Sequence, residues 1–386
     1  MSALTSREIS IVASQSHEPL IASVEWDDLL TRSRFDTIFL RSRFLRAAQR
    51  AFAEGLPLIT VRAVDPVGHL VGGAIFVVRG SSAELLGTGP SDYLDIPVDA
   101  TLPAHVAGEL QRQIVEELFR QNTSITSIQL CHLIEGRGTP ANLAGLSELH
   151  LTQLRTMPAP RIGRTEILNL AGRASLRRPD NRLARMGRVN CQHYRTADDI
   201  LPRLDRFFDQ HVERWKGTSS PSQFEEPAQR EFYRTLTSEL SESGWLRYTE
   251  IRLDDALAAA HFGFSMNGSF IWYKPSFNPD LADLSPGVVL MRRLLLLAME
   301  EGAVEFDFTI GDEDFKRRYA TEERIVHDIH ISRSRFEASL LQAKIKLRKG
   351  ARTGLEQLKL MAPRTKKEPL PPVVETTLDC QNHCSK

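Results

Sequence analysis

The sequence predicts an α/β protein built from two related units, each a mixed central sheet flanked by helices. Three observations lead there. Helical and extended patterns alternate along the chain, the same order of patterns occurs in both halves, and 386 residues is long for one domain and comfortable for two.

In the first half, helical patterns at 26–30 and 44–52 end at Gly55. Extended runs at 56–64 and 70–78 flank the turn Asp65-Pro66-Val67-Gly68, and β-branched runs around a Pro/Gly turn read as a hairpin. A third strand is expected at 83–86, then a helix at 103–120 and a strand at 127–133. The second half repeats the order. Helices at 200–215 and 228–242 end at Gly244, and extended runs at 246–253 and 256–266 turn at Asp254-Asp255. A strand at 270–275, a helix at 286–301 and a strand at 304–309 follow. Gly55 and Gly244 hold matching places, each before the first strand of a hairpin.

The expected organisation is a flexible N-terminus at 1–19, a first unit at 20–160 and a basic linker at 161–188. A second unit follows at 189–336, then a basic amphipathic helix at 337–361 and a disordered tail at 362–386. The linker is rich in arginine over 173–188, with Leu176, Leu183 and Met186 at loosely helical spacing. It reads as a solvated basic helix, with an anion contact as the sharper alternative. In the C-terminal helix Lys344, Lys346, Arg348, Lys349 and Arg352 stand beside Leu340, Leu341, Ile345 and Leu347. Packing of that stripe on its own domain is the plainer reading, and contact with an anionic membrane surface is the other. After Ala362 the composition turns to Pro, Lys and polar residues, a disordered signature.

Bulk properties exclude several classes. The formal net charge is zero, so no overall field draws the chain to nucleic acid. Its 41% hydrophobic and 25% charged residues are ordinary for a globular protein. The four cysteines have no framework spacing, which suits a reducing compartment. The first residues lack the apolar core of a signal peptide, and the apolar run at 288–299 is short and carries Arg292 and Arg293. The expected location is therefore the cytoplasm.

Ser285-Pro286-Gly287 precedes the most apolar helix. Serine suits an N-cap, proline the first turn, and glycine allows close approach, so this start can seat a pyrophosphate. On these residues alone, a well-capped core helix is the simpler reading. Beyond Glu301-Gly302 the chain reads Val304-Glu305-Phe306-Asp307-Phe308-Thr309-Ile310-Gly311, then Phe315-Lys316-Arg317-Arg318-Tyr319. The stretch from Ser285 to Tyr319 resembles the "sPG…G…DF…G…yK" signature of the CelD-like (BioF2-like) acyltransferases of the GNAT superfamily. His211 and Trp215 match the spacing of that family's "H…rW" helix, and Gly244 with Ala258-Ala259-Ala260 its "G…iAa" segment. Trp26, Phe39, Phe44 and the run from Gly89 to Asp95 fit the front half, so the likeness covers roughly 24–336. The family is similar in architecture to the Fem-type transferases, which pair two GNAT units and carry an "FKxxF" element that Phe315–Tyr319 approaches.

The resemblance implies a thioester donor between two splayed strands, here 270–275 and 304–309, with its pyrophosphate at Ser285, Pro286, Gly287, Val288 and Val289. Backbone N–H groups of the first strand would polarise the carbonyl. This chain departs from the usual Q/R-x-x-G-x-G/A phosphate loop in having only Gly287. An alkyl amine must lose a proton to attack, and the candidate bases are His211 and Asp307. His211 is equally readable as a core histidine beside Trp215. Asp307, between Phe306 and Phe308, is either a base with a raised pKa or half of a buried ion pair. Lys316 and Arg317 are natural partners for a carboxylate, a phosphate or the oxyanion. Tyr273 or Tyr319 would protonate the thiolate. Asp92, Tyr93 and Asp95 are candidates for receiving a cationic amine, with a solvated turn as the plainer reading.

The function expected from the sequence is N-acyl transfer from acyl-CoA or an acyl carrier protein to an amine of a sugar or long-chain lipid precursor. No metal is expected; Cys380, His383 and Cys384 lack a fourth ligand. A Fem-like transferase using charged tRNA and a non-catalytic scaffold are the alternatives, the former disfavoured by the neutral charge. Peripheral contact with the inner face of a membrane, through the basic helix, is the remaining partner expectation.

Overall fold

The computed structural model describes residues 6–16, 24–135, 139–144, 146, 148–218 and 221–347. In chain order the first half runs β1 (Ser10–Ser16), α1 (Val24–Arg32), α2 (Ser42–Phe52), β2 (Leu58–Val64), β3 (Leu70–Arg79) and β4 (Ser82–Leu85). It continues with α3 (Ala104–Gln121), β5 (Ser127–Ile134), α4 (Thr139–Leu143) and β6 (His150–Gly163). Two helices follow, α5 (Arg164–Gly172) and α6 (Ala174–Met186). Then come β7 (Val189–Tyr194), α7 (Ala197–Ile200), α8 (Leu204–Trp215), α9 (Pro227–Glu239), β8 (Leu246–Leu253) and β9 (Ala256–Met266). The described elements continue with β10 (Ser269–Phe277), α10 (Pro286–Glu300), β11 (Glu305–Asp307), α11 (Asp314–Tyr319) and β12 (Glu322–Ser332). A last helix, α12, covers residues 335–347.

Both expected hairpins form, β2/β3 and β8/β9, each antiparallel. Gly55 and Gly244 take φ 72° and 71°, a left-handed turn that favours glycine, so their matching places reflect one backbone requirement met twice. Four strands were not legible as such. β1 lies in the stretch expected to be flexible, and it pairs with β2 over seven residues as an edge strand. β7 pairs with β8 in the same way. The other two are β6 and β12.

By contacts the chain divides into two units that differ from contiguous halves. Unit 1 holds the described residues up to Phe35, Gly55–Thr156, and those from Ile325 on. Unit 2 holds Asp36–Glu54 and Met157–Arg324. Each carries strands in one order. Unit 1 reads β1-β2-β3-β4-β5-β12 and unit 2 reads β7-β8-β9-β10-β11-β6. In both, the fourth and fifth strands run parallel and the sixth pairs antiparallel with the fifth. The sixth strand is exchanged: β6, at the end of the first repeat, pairs with β11 in unit 2, and β12, at the end of the second, pairs with β5 in unit 1.

Unit 2 places its site between two apolar layers. On one, α5, α6 and α10 cover Phe270, Trp272, Phe306 and Phe308. The expected basic linker helix is amphipathic: Arg177, Arg178, Arg182 and Arg185 of α6 are exposed, Leu176 and Leu183 are fully buried, and Asp180 pairs with Arg292 and, at 2.8 Å, with Arg293 of α10. The other layer is aromatic. Phe39 and Phe44, at and just before α2, meet Phe232, Phe264 and Tyr273. No helix among the described residues is long and apolar enough to cross a membrane. Residues 348–386, with Cys380, His383 and Cys384, lie outside the described residues.

Candidate functional site

β10 and β11 pair in parallel at only three positions, Ser269↔Glu305, Phe270↔Phe306 and Ile271↔Asp307. β10 then continues to Phe277 while β11 stops. α10 connects these parallel strands, so it runs back against them and starts at the end where they part. A crevice at the carboxyl ends of parallel strands, facing a helix start, is a general ligand position.

A defect in β10 accompanies the split. Between the pairs Phe264↔Ile271 and Phe262↔Lys274, Trp272 and Tyr273 both face the single residue Gly263, a β-bulge. His261 fills the space. Its Nε2 accepts a hydrogen bond from the Tyr273 N–H at 3.2 Å, and its ring stacks on Trp272. A Cβ on Gly263 would stand 2.2 Å from His261 Cε1 and 2.3 Å from the Ile271 carbonyl oxygen, so only glycine fits opposite the bulge. Burial pushes the His261 pKa down to about 3, helped by the charge of His193. His261 Nδ1, Trp272 Nε1, Ser276 Oγ and Trp215 Nε1 are buried without a hydrogen-bond partner among the described residues. Buried orphans of this kind are uncommon, and each calls for a partner such as a water or a bound molecule.

The helix start is leaner than the sequence implied. Ser285 is the N-cap residue of α10, but it sits in the left-handed region (φ 55°) and its side chain makes no cap. The Val288 and Val289 amides both bond to the Ser285 carbonyl, at 3.0 and 3.2 Å. Pro286 has no N–H, which leaves the Gly287 amide and the helix dipole to meet an anion. A Cβ on Gly287 would touch the Phe277 ring at 3.4 Å.

Two cations stand by the same end of β10. Arg214 of α8 bonds to the Pro275 carbonyl at 3.0 Å and lies 4.5 Å from the Phe277 ring centre. Lys274 lies 4.5 Å from the Tyr273 ring centre. Neither was given a role from the sequence, although Arg214 holds the place of the arginine in the "H…rW" pattern. Their charges reach His211, which is 4% exposed, set among Phe207, Trp215 and Phe224, with Nδ1 2.8 Å from Ser222 Oγ. Burial first, then Arg214 and Lys274, hold its pKa well below the ordinary histidine value, so the ring is neutral at pH 7.

The other sequence candidates have structural partners. Asp307 is half of a buried ion pair: Arg324 donates to it at 2.7 Å, and its other oxygen accepts the Thr309 N–H at 2.7 Å. Of the two readings of Asp307, the geometry is that of the ion pair. Arg324 also grips Glu305, at 2.7 and 2.8 Å, and Arg161 adds a contact at 2.8 Å. Burial opposes the Glu305 charge, but these partners outweigh it and its carboxyl titrates low. Lys316, 2% exposed, donates to the Ile310 carbonyl at 2.7 Å and pairs with Glu313 at 3.2 Å. Arg317 pairs with Asp312 and Asp314 at the surface. Tyr273 is a wall of the aromatic layer beside Phe39, Tyr233 and Phe264, and Tyr319 is buried in the layer under α10.

Asp92, Tyr93 and Asp95 belong to unit 1. Asp92 is half-buried, Tyr93 packs edge-on against Phe35, and Asp95 accepts the Thr139 hydroxyl and the Ile96 N–H. Asp95 is thus committed to a buried network rather than presented to a cationic amine.

Residues 171–317 match the model of a family described as an acetyltransferase (GNAT) domain. Comparison with curated protein sequences gives no match. Among solved structures the chain is similar to FemX, with a TM-score of 0.57 and 10% identity over 82% of this chain and 96% of that one. It is similar to the C-terminal (DUF2156) domain of a protein from Agrobacterium fabrum assigned as a lysylphosphatidylglycerol synthetase, at a TM-score of 0.54 and 13% identity over 83% and 93%. L-PGS from Bacillus licheniformis gives 0.52 and 11% over 84% and 95%. At such identities the likeness is one of fold. The chain is therefore a two-unit α/β protein whose stretch from 171 to 317, holding β8 to β11 and α10, matches a GNAT acetyltransferase domain.

Proposed function

We propose that unit 2 transfers an acyl group from a thioester donor, acyl-CoA or an acyl carrier protein, to the amine of a small molecule. The parting of β10 from β11 after three pairs, at the end where α10 begins, carries the reading. The Gly287 amide and the α10 dipole would meet the donor's phosphate, with Arg214 and Lys274 supplying the charge that the short phosphate loop lacks.

In the reaction the amine nitrogen bonds to the thioester carbon and the C–S bond breaks. The nitrogen gives up a proton and the thiolate takes one from solvent. His211 is the base we assign: with Nδ1–H donated to Ser222, its Nε2 keeps a lone pair. Its low pKa, which follows from burial and from the charges of Arg214 and Lys274, makes it a weak base before a donor binds. An anionic donor paired with those cations would raise its basicity, so donor binding and proton removal are coupled.

Thermal melting with coenzyme A, acetyl-CoA and palmitoyl-CoA tests this first. Ligand at about 100 times its dissociation constant adds about 2.7 kcal/mol, a clear shift. A preference for palmitoyl-CoA would favour a lipid amine as acceptor. No shift with any thioester would overturn the coenzyme A reading. Acyl carrier protein would then be tried, and tRNA at two salt concentrations.

A further inference from the structure

Ser334 begins α12 as its cap, its hydroxyl accepting the Glu337 N–H at 3.2 Å. One face of the helix is seated, with Ala338 at 4% exposure and Leu341 and Ile345 half-buried. The opposite face is apolar and open. Phe336 is 77%, Leu340 47% and Leu347 74% exposed. At helical spacing these three fall within about 40° of one another, with Ala343 about 20° outside them on the side of Phe336. Lys344 and Lys346, both exposed, flank the stripe on either side, with Arg335 beyond Lys346 and Glu337, paired with His330 at 3.4 Å, beyond Lys344. We propose that this stripe seats α12 in the surface of an anionic lipid bilayer, with Phe336, Leu340 and Leu347 among the acyl chains and Lys344 and Lys346 at the headgroups.

Charge selects this occupant. An apolar stripe edged by lysines complements a negatively charged interface. The rest of the chain is a poor cover for it, because residues 348–386 carry eight basic and four acidic side chains. A second copy would bring two lysine-edged stripes together, like charge against like.

The test is flotation of the full chain with vesicles of phosphatidylcholine alone or with one quarter phosphatidylglycerol. Binding is expected only to the anionic vesicles, falling steeply in 0.5 M salt. Lys344→Glu with Lys346→Glu should weaken it by at least tenfold, since each basic residue at such a surface is worth about fivefold. Phe336→Ser/Leu340→Ser/Leu347→Ser should abolish it while leaving the melting temperature unchanged. Three results would overturn the proposal: equal or no binding to both vesicles, binding that survives loss of the stripe, or a stripe variant with lower melting temperature or smaller oligomer. The last would show that the chain's own tail or a second copy covers the stripe.

Discussion

The two units meet the same structural problem and solve it oppositely. In unit 1, β4 and β5 also pair in parallel at three positions, Ser82↔Ser127, Ala83↔Ile128 and Glu84↔Gln129, before β4 turns away. The chain then comes back. Leu94 bridges Leu133 in parallel, its N–H bonding to the His132 carbonyl at 3.1 Å, and Tyr93, Leu94 and Ile96 are almost wholly buried. The place beside β5 is filled by the protein's own backbone. In unit 2 the residues after β10 form a short 3-10 helix, Pro279–Leu284, and pass straight into α10. No bridge joins them to β11 among the described residues. Even the kinks correspond, since His132 and Thr309 both take φ 58° and both give their N–H to an arginine-paired aspartate. A shared architecture thus leaves the place beside the fifth strand open in one copy and fills it with backbone in the other.

The comparison can be broken at several points. The largest effect is expected at the Lys316–Glu313 pair just beyond the unit 2 split. Lys316→Met strands a buried carboxylate and should cost about 3–5 kcal/mol in urea unfolding. Adding Glu313→Gln should recover most of it, whereas a catalytic lysine would leave stability alone and lose turnover. Next, Leu94→Ala empties part of the unit 1 plug and should cost about 3 kcal/mol. Thioester affinity, measured calorimetrically, should stay within about twofold of the parent; a large loss of binding would mean that unit 1 is not merely sealed. Gly287→Val crowds Phe277 at the helix start and should lower kcat/KM about 100-fold, roughly 2.7 kcal/mol, with little change in melting.

Acid gives the mildest test. His211 and His261 are held neutral in unit 2, below the unfolded value of 6.5. The unfolded chain then binds more protons below pH 6.5, so their contribution to stability is present above that pH and is lost as pH falls towards the folded values. Each adds a slope of about 1.4 kcal/mol per pH unit. His261→Asn, which keeps an acceptor for the Tyr273 amide, should flatten the slope between pH 6.5 and 4.5 by about that amount. An unchanged slope would place the acid sensitivity elsewhere.

Much of this was readable in the sequence, because hairpins, α3, α10 and the glycine turns have local signatures. Asp307 was correctly posed as base or ion pair, but its partner lies 17 positions away with no periodic relation, so residue type alone could not decide. The Lys316–Glu313 pair was in plain sight at helical i,i+3 spacing. His261 was passed over; the available hint was Gly263 inside the apolar run of β9, since an isolated glycine in a strand suggests a bulge. Ser285 holds the N-cap place but its side chain makes no cap, since cap chemistry depends on the backbone angle the preceding turn imposes. β6 and β12 were missed because what makes them strands is pairing with distant partners.

That exchange of sixth strands has a consequence for how the chain can be made. Ser332 of β12 pairs with Ser127 of β5, roughly 200 residues earlier. At ordinary rates of synthesis β5 waits about 10–40 s for its neighbour, its edge open all the while. A ribosome that stalls between the repeats, or a gene cut there, would release a first repeat holding the wrong closing strand. The exchange therefore makes the two repeats one folding unit, and chaperone dependence early in translation is the vulnerability that comes with it.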